Sequence, residues 1–147
     1  MRRLAIFALL LAGCAAGRET ELRNEVGCDR LTAVEGATTS ASGLVHFYPL
    51  EPEWLRRSLS PAEADDYLWE QWVYWWNAES REALAADSMF VGMQLNGWRA
   101  VQAKQQASDQ FWYYSTPDSY WNALAGQEGV VLIRSCAVVG NVVISQS

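Results

Sequence analysis

Hydrophobic positions recur with helical spacing after Ser60. The tetrapeptide Ser60-Pro61-Ala62-Glu63 combines an N-cap serine, a proline at the first helical position and a glutamate at N3, the signature of a capping box. On a helical wheel, four tryptophans fall on one side and polar residues on the other. These tryptophans are Trp69, Trp72, Trp75 and Trp76. The pattern predicts a long amphipathic helix from Ser60 to about Ala86.

The C-terminal region has a different pattern, with two β-branched runs at 130–133 and 138–144. A short polar break separates them, which is typical of a β-hairpin. We expect the turn near Ser135–Ala137. A turn at Gly140–Asn141 is the alternative, but it would leave a very short return strand.

Shorter elements are predicted between the helix and the hairpin and before the helix. Before the long helix we expect a loop at Glu35–Gly43, a strand at Leu44–Tyr48 and one or two helical turns over 51–59. After it we expect an apolar stop at Met89–Met93, a turn at Asn96–Gly97 and a helix at Trp98–Ser108. A strand at Phe111–Tyr114 and a short helix after Thr116-Pro117 complete the set. Together these elements predict an α+β domain. In it, a long amphipathic helix and two shorter helices pack on a small antiparallel sheet with a C-terminal hairpin.

The N-terminus carries a separate signal. Two arginines follow Met1, and the next nine residues, Leu4–Ala12, contain no charge. A charged start, a short apolar run and a small-residue site form a secretory signal peptide. Nine residues rise about 14 Å as a helix, whereas the hydrocarbon core of a bilayer is about 30 Å thick. The pattern therefore predicts a cleaved leader over residues 1–13.

The end of this leader, Leu11-Ala12-Gly13-Cys14, resembles the lipobox of bacterial lipoprotein precursors. The resemblance implies a diacylglyceryl group on the Cys14 thiol, cleavage before Cys14, and acylation of the new amino group by a fatty chain such as palmitate. The residue after this cysteine is Ala15. Similar lipoproteins with alanine at this position go to the outer membrane, and the resemblance therefore implies an anchor there that faces the periplasm. The alternative is an ordinary signal peptide in which Cys14 is incidental.

The mature chain is predicted to have a lipidated tether over 14–26 and a single domain over 27–147. Cys28 and Cys136 are the cysteines that remain in this domain. An even pair in an exported domain predicts a disulfide, and two separate buried thiols are the alternative. The spacing of these cysteines fits neither a CxxC redox motif nor a zinc cluster, so we predict no metal and no cofactor.

Composition and charge restrict the partners. Half of the 147 residues are hydrophobic and eight are tryptophan, which predicts a globular domain with a real core. The formal net charge is −6, and loss of Arg2 and Arg3 with the leader makes it −8. This acidity disfavours nucleic acid. We expect a membrane contact through the lipid anchor, and a partner that is another envelope protein or a cell-wall glycan.

The tryptophans supply the candidate binding surface. We predict that Trp69, Trp72 and Trp76 form core, because each buries a large area on the helix stripe. The predicted exposed set is Trp54, Trp75, Trp112 and Trp121. Exposed indole rings stack on sugars or apolar peptides, so this set predicts ligand or partner binding.

An envelope hydrolase is the alternative function. Asp66 and Glu70 stand four residues apart and face together on a helix, and His46 is the only histidine. The chain contains no G-x-S-x-G elbow, no P-loop and no H-E-x-x-H motif. We therefore assign no catalytic residue and favour an interaction or ligand-binding role.

Overall fold

The computed structural model of this chain describes residues 26–39 and 50–146. Their framework is one five-stranded sheet in the order β1-β5-β4-β3-β2. The strands are β1 (Thr32–Thr39), β2 (Leu55–Leu59), β3 (Gln110–Ser115), β4 (Gln127–Arg134) and β5 (Ala137–Gln146). Strands β2 to β5 pair antiparallel, and β1 joins β5 in parallel at the edge. The α+β prediction is confirmed.

The helices follow β2, and all of them except α5 cover one face of the sheet. They are α1 (Pro61–Trp75), α2 (Arg81–Ala85), α3 (Ser88–Phe90), a π-helical turn (Val91–Leu95), α4 (Asn96–Lys104) and the outlying α5 (Asp118–Asn122). A 3-10 turn at Pro52–Trp54 precedes β2. The leader, Cys14, the tether up to residue 25, the predicted strand Leu44–Tyr48 and His46 lie outside the described residues.

Each face of the sheet has its own core. The helix-side core joins Leu68, Trp72, Phe90 and Trp98 from the helices to Phe111, Val130, Leu132 and Val142 from the sheet. The core on the opposite face contains Trp54, Leu55, Trp112, Tyr114, Val131 and Ile133, together with Cys28 and Leu31. Neighbours along β3 alternate between the two cores, as the two-residue period of a strand requires.

The long helix begins as predicted and ends early. The Glu63 N–H donates to Ser60 Oγ at 3.2 Å, and the Ser60 N–H donates to Glu63 Oε2 at 2.7 Å, which confirms the capping box. The helix stops at Trp75, however, so the prediction of a helix to Ala86 is wrong. Asn77 has φ 49°, and the Ala78 N–H donates to the Val73 carbonyl at 3.0 Å. This is a Schellman motif, and asparagine tolerates the left-handed position that it needs.

The region after Asp87 is helical, so the predicted apolar stop at Met89–Met93 and the predicted turn at Asn96–Gly97 are wrong. The physical reason is a cap. Asp87 Oδ1 accepts hydrogen bonds from the N–H groups of Met89 at 2.8 Å and Phe90 at 3.0 Å. This cap starts the helical run ten residues before Trp98, and the run ends at Lys104.

The C-terminal hairpin is confirmed, with its turn at Ser135 and Cys136. Both residues have positive φ, 47° and 66°, which is the conformation of a type I′ turn. Two other predictions need correction. The loop at Glu35–Gly43 is strand up to Thr39, and Leu55–Leu59 is a strand after a single helical turn. Pairing with β5 and β3 overrides the weak local preferences of these segments.

Candidate functional site

A disulfide joins Cys28 to Cys136 across 108 residues of chain, so the predicted pair is confirmed. Cys28 precedes β1, and Cys136 lies in the turn that leads into β5. The Thr32 N–H also donates to the Cys136 carbonyl at 3.0 Å, where the parallel pairing of the two strands begins. The covalent bond therefore holds the first described segment against the last hairpin.

Two of the four tryptophans predicted as surface are core residues. Trp54 is 4% exposed and Trp112 is 1% exposed, so both predictions are wrong. Trp112 stands opposite Val131 in the sheet and points into the second core. Trp54 packs edge-on against Tyr120 with ring centroids 5.2 Å apart. Proximity to a loop in sequence does not decide which face a side chain takes.

The other two predicted surface tryptophans differ from each other. Trp121 is half-buried, and its ring lies where a side chain on Gly126 would stand, 2.1 Å from an ideal Cβ. Trp75 is 53% exposed, as predicted. Of the four, Trp75 thus presents the most accessible ring to a partner.

The remaining stripe of α1 is core, as predicted. Trp69 and Trp72 are buried and Trp76 is half-buried. All three rings contact Phe90, with centroids 5.6, 5.2 and 5.4 Å from it. Phe90 thus lies at the centre of an aromatic cluster that fixes α3 against α1.

The last turn of α1 presents two neighbouring aromatic rings, Tyr74 and Trp75, which we call the aromatic pair. Tyr74 is 75% exposed. Its ring meets that of Trp75 in a T-shaped contact with centroids 5.4 Å apart and an interplanar angle of 78°. The helical wheel placed Tyr74 on the polar side, and that placement was the available signal of its exposure.

The surroundings of the aromatic pair are acidic. Glu70 lies one helical turn before Tyr74, Glu79 follows the helix, and both are exposed. The last turn of α1 holds no basic residue. The C-terminal end of a helix also carries the negative end of its dipole. These features together favour a negative electrostatic potential at the aromatic pair.

Arg81 is the only basic residue in the sequence between Ser58 and Trp98, and its side chain is 45% exposed. It forms a salt bridge with Asp65, approaches Asp66 at 3.7 Å, and stands 4.5 Å above the centre of the Trp69 ring. Asp65 in turn accepts the indole N–H of Trp98 at 2.8 Å. This network joins α1, α2 and α4.

A second polar cluster lies on the helix-side face of the sheet, and sequence reasoning missed it. The Tyr113 hydroxyl donates to Glu128 Oε2 at 2.9 Å, and the Tyr67 ring meets that of Tyr113 edge-on at 5.1 Å. Burial raises the pKa of both tyrosines, and the neighbouring Glu128 carboxylate adds to the effect. Both hydroxyls therefore stay protonated and act as hydrogen-bond donors.

The carboxylates considered for hydrolysis lie on the outward side of α1. The Asp66 side chain is 73% exposed, and Glu70 is exposed. Among the described residues, no group of three or more His, Cys, Asp or Glu side chains is arranged to hold a metal ion. The described helices are also too short or too polar to cross a bilayer.

Comparison with known proteins gives no relative for this chain: no family model, no curated protein and no solved structure matches it.

Proposed function

We propose that this protein is an exported, lipid-anchored protein of the bacterial envelope that binds a partner through the aromatic pair. The partner is another envelope protein or a cell-wall glycan. The observation that carries the proposal is the exposure of Tyr74 and Trp75 side by side at the end of α1. Tyrosine and tryptophan dominate the energetics of binding surfaces when a partner removes them from water.

The position of Trp75 on α1 strengthens this proposal. Trp75 follows Ala64 by eleven residues, about three helical turns, so the two residues share one line along the helix. Ala64 is fully buried on that line, as is Leu68. Trp75 continues the apolar line beyond the core of its own domain, where a partner would cover it.

The disulfide supports the proposed location. Disulfides form and persist in oxidising compartments such as the periplasm and are rare in the cytosol. The bond between Cys28 and Cys136 therefore agrees with the secretory leader and with the resemblance of residues 11–14 to a lipobox. The outward-facing carboxylates Asp66 and Glu70 favour a role in recognition over the alternative of hydrolysis.

The anchoring part of the proposal is tested with Cys14→Ser. Cells that express the wild-type chain are labelled with palmitate, and membranes are separated from soluble material. We expect label and membrane association for the wild type. For the variant we expect loss of the label, together with either release from the membrane or an uncleaved leader by intact mass. Ala16→Ser is the matched control, because it introduces a serine two residues after Cys14 and leaves the lipobox cysteine in place. A variant that stays processed and membrane-bound would contradict the anchor.

The binding part is tested by placing a photo-crosslinking amino acid at Tyr74, Trp75 and, as a control, the exposed Gln102 of α4. Cells are irradiated, and adducts are identified by mass. In parallel, purified cell-wall sacculi are sedimented with the wild type and with Trp75→Ala. We expect a discrete adduct at positions 74 and 75 but not at 102, or sedimentation that depends on Trp75. Equal labelling at all positions without Trp75-dependent sedimentation would overturn the proposal.

A further inference from the structure

We propose that the aromatic pair recognises a basic polypeptide segment whose arginine or lysine side chains stack on Tyr74 and Trp75. This inference rests on the proposed binding role of the pair and names the chemistry of its partner. It also chooses between the two kinds of partner above, since it assigns a protein and not a glycan.

Local charge at the pair favours a cation, because Glu70 lies one helical turn before Tyr74, Glu79 follows the helix, and the last turn of α1 holds no basic residue. Between Ser58 and Trp98 the sequence has one basic residue, Arg81, against a much larger acidic set. That set is Glu63, Asp65, Asp66, Glu70, Glu79, Glu82 and Asp87. Arg81, the one basic residue of this segment, pairs with Asp65 and Asp66 and stacks on the Trp69 ring, so its charge is already engaged by these groups. A cationic ligand is attracted to such a surface, and an anionic one is repelled.

The geometry of the rings is the second argument. In a T-shaped contact the edge of one ring meets one face of the other, so part of the π surface remains free. Tyr74 is 75% and Trp75 is 53% exposed, and water is in contact with that free surface. Guanidinium and ammonium groups bind the negative faces of such rings. The stack of Arg81 on Trp69 at 4.5 Å shows this contact elsewhere on the same helix.

Other occupants fit the surface less well. Anionic lipid headgroups are repelled by the mature chain, whose net charge is −8 once Arg2 and Arg3 are lost from the −6 of the full chain. A neutral glycan gains stacking but nothing from the carboxylates of Glu70 and Glu79. A second copy in a symmetric dimer would place the same acidic surface against itself. The basic segment is the occupant that uses both the rings and the charges.

The test uses the full chain, purified with its lipids in detergent, and two synthetic peptides. One peptide alternates arginine with leucine, and the other has glutamine in place of every arginine. We expect the arginine peptide to bind at low salt, to weaken strongly at 0.5 M salt, and to outcompete the glutamine peptide. Binding is measured by calorimetry and by the change in total tryptophan fluorescence, with Trp75→Phe as the reference because the chain has eight tryptophans.

Matched variants separate stacking from simple apolar contact. Trp75→Phe retains an aromatic face, whereas Trp75→Leu retains apolar area without one. We expect Trp75→Leu to lose roughly three- to tenfold in affinity for the arginine peptide and Trp75→Phe to lose less. Glu70→Gln with Glu79→Gln should also weaken binding and flatten its salt dependence. Leu124→Ala is the control, because Leu124 is an apolar residue in the turn after α5, is 79% exposed, and should leave affinity unchanged.

Several results would overturn the inference. Equal affinity for the two peptides would mean simple apolar docking. Trp75-dependent binding to sacculi, or to zwitterionic or anionic vesicles, without binding of the arginine peptide would assign a glycan or a membrane. Sedimentation as a dimer that Trp75→Ala dissociates would assign a second copy. If crosslinks form at Tyr74 and Trp75 but the arginine peptide does not bind, only this inference fails. If neither crosslinks nor Trp75-dependent binding are seen, the proposed function fails with it.

Discussion

Trp98 on α4 donates its indole N–H to Asp65 on α1 at 2.8 Å. Trp98 is 1% exposed, so its polar nitrogen would be costly to bury without an acceptor. The other oxygen of Asp65 accepts from Arg81. The Asp65 carboxylate thus links three helices. The side chain of the next residue, Asp66, is 73% exposed.

This relationship predicts different effects for neighbouring aspartates. Asp65→Ala leaves the Trp98 nitrogen buried without its partner and should lower the free energy of unfolding by about 1–3 kcal/mol. Asp66→Ala, which removes a side chain that is 73% exposed, should change it by less than about 0.5 kcal/mol. Urea denaturation of the two variants measures the difference. Equal stability of the two variants would contradict the role given to Asp65.

Asp109 predicts an acid dependence of stability. Its carboxylate accepts two hydrogen bonds from Arg134, at 2.7 and 2.8 Å, which hold the pKa of Asp109 below its ordinary value. A lowered folded-state pKa stabilises the protein above the unfolded pKa, about 3.9, and this stabilisation is lost as pH falls through the folded pKa.

The matched variant for this prediction is Asp109→Asn, which resembles the protonated acid. The wild type should be more stable than the variant at pH 6, and the difference should shrink as pH falls from about 4 towards 2. The measurement is the urea midpoint of both proteins across this range. A difference that is independent of pH would show that the ion pair does not contribute.

The Cys28–Cys136 bond predicts a local as well as a global effect. It closes a loop with a sequence separation of 108, for which the chain-entropy estimate is about 4.7 kcal/mol as an upper value. Cys28→Ser with Cys136→Ser should therefore lower stability by up to that amount. Amide exchange should accelerate most at Thr32 and Ala33, whose strand has no described neighbour other than β5. Unchanged protection in β1 would show that strand pairing alone holds this edge.

Alanine substitutions at two glycines should change the stability of the protein in opposite directions. An alanine Cβ at Gly129 would lie 2.1 Å from the Val142 carbonyl oxygen, and backbone in a central strand cannot move away. Gly129→Ala should cost at least about 1–3 kcal/mol. Gly92, in the π-helical turn, has nothing within 4 Å of such a Cβ. Gly92→Ala should raise stability by about 0.5–1 kcal/mol, because alanine loses less backbone freedom on folding. Thermal unfolding of both variants tests the contrast.

Local signals explain which elements were predictable. The capping box at Ser60, the β-branched runs of the hairpin and the proline before α5 act within a few residues, so their elements were anticipated. The end of α1 was missed because the tryptophan stripe dominated the pattern. Asn77, which ends α1, and Ser80, which caps α2, were the local signals of this break. The cap at Asp87 was missed for a similar reason, since the apolar run after it resembles a strand.

Non-local geometry explains what could not be predicted. The parallel pairing of β1 with β5 depends on contacts between residues that are far apart in the sequence, and local patterns carry no information about such contacts. The burial of Trp54 and Trp112 depends on a second core, which the expectation of a single helix-covered face did not include. Trp75 was anticipated because it lies at the edge of the helix stripe. Its partner ring Tyr74 and the acidic surroundings became evident only when the end of α1 was located.

The strand order has a consequence for biogenesis. A chain that emerges amino end first, from a ribosome or from a translocation channel, delivers β1 long before its only described neighbour in the sheet. Strand β5 (Ala137–Gln146) follows all the other described strands and helices in the chain, so the β1 edge of the sheet cannot form until Ala137–Gln146 has been released. The pairing of β1 with β5 is therefore a late step in folding, because it closes a long loop between distant parts of the chain.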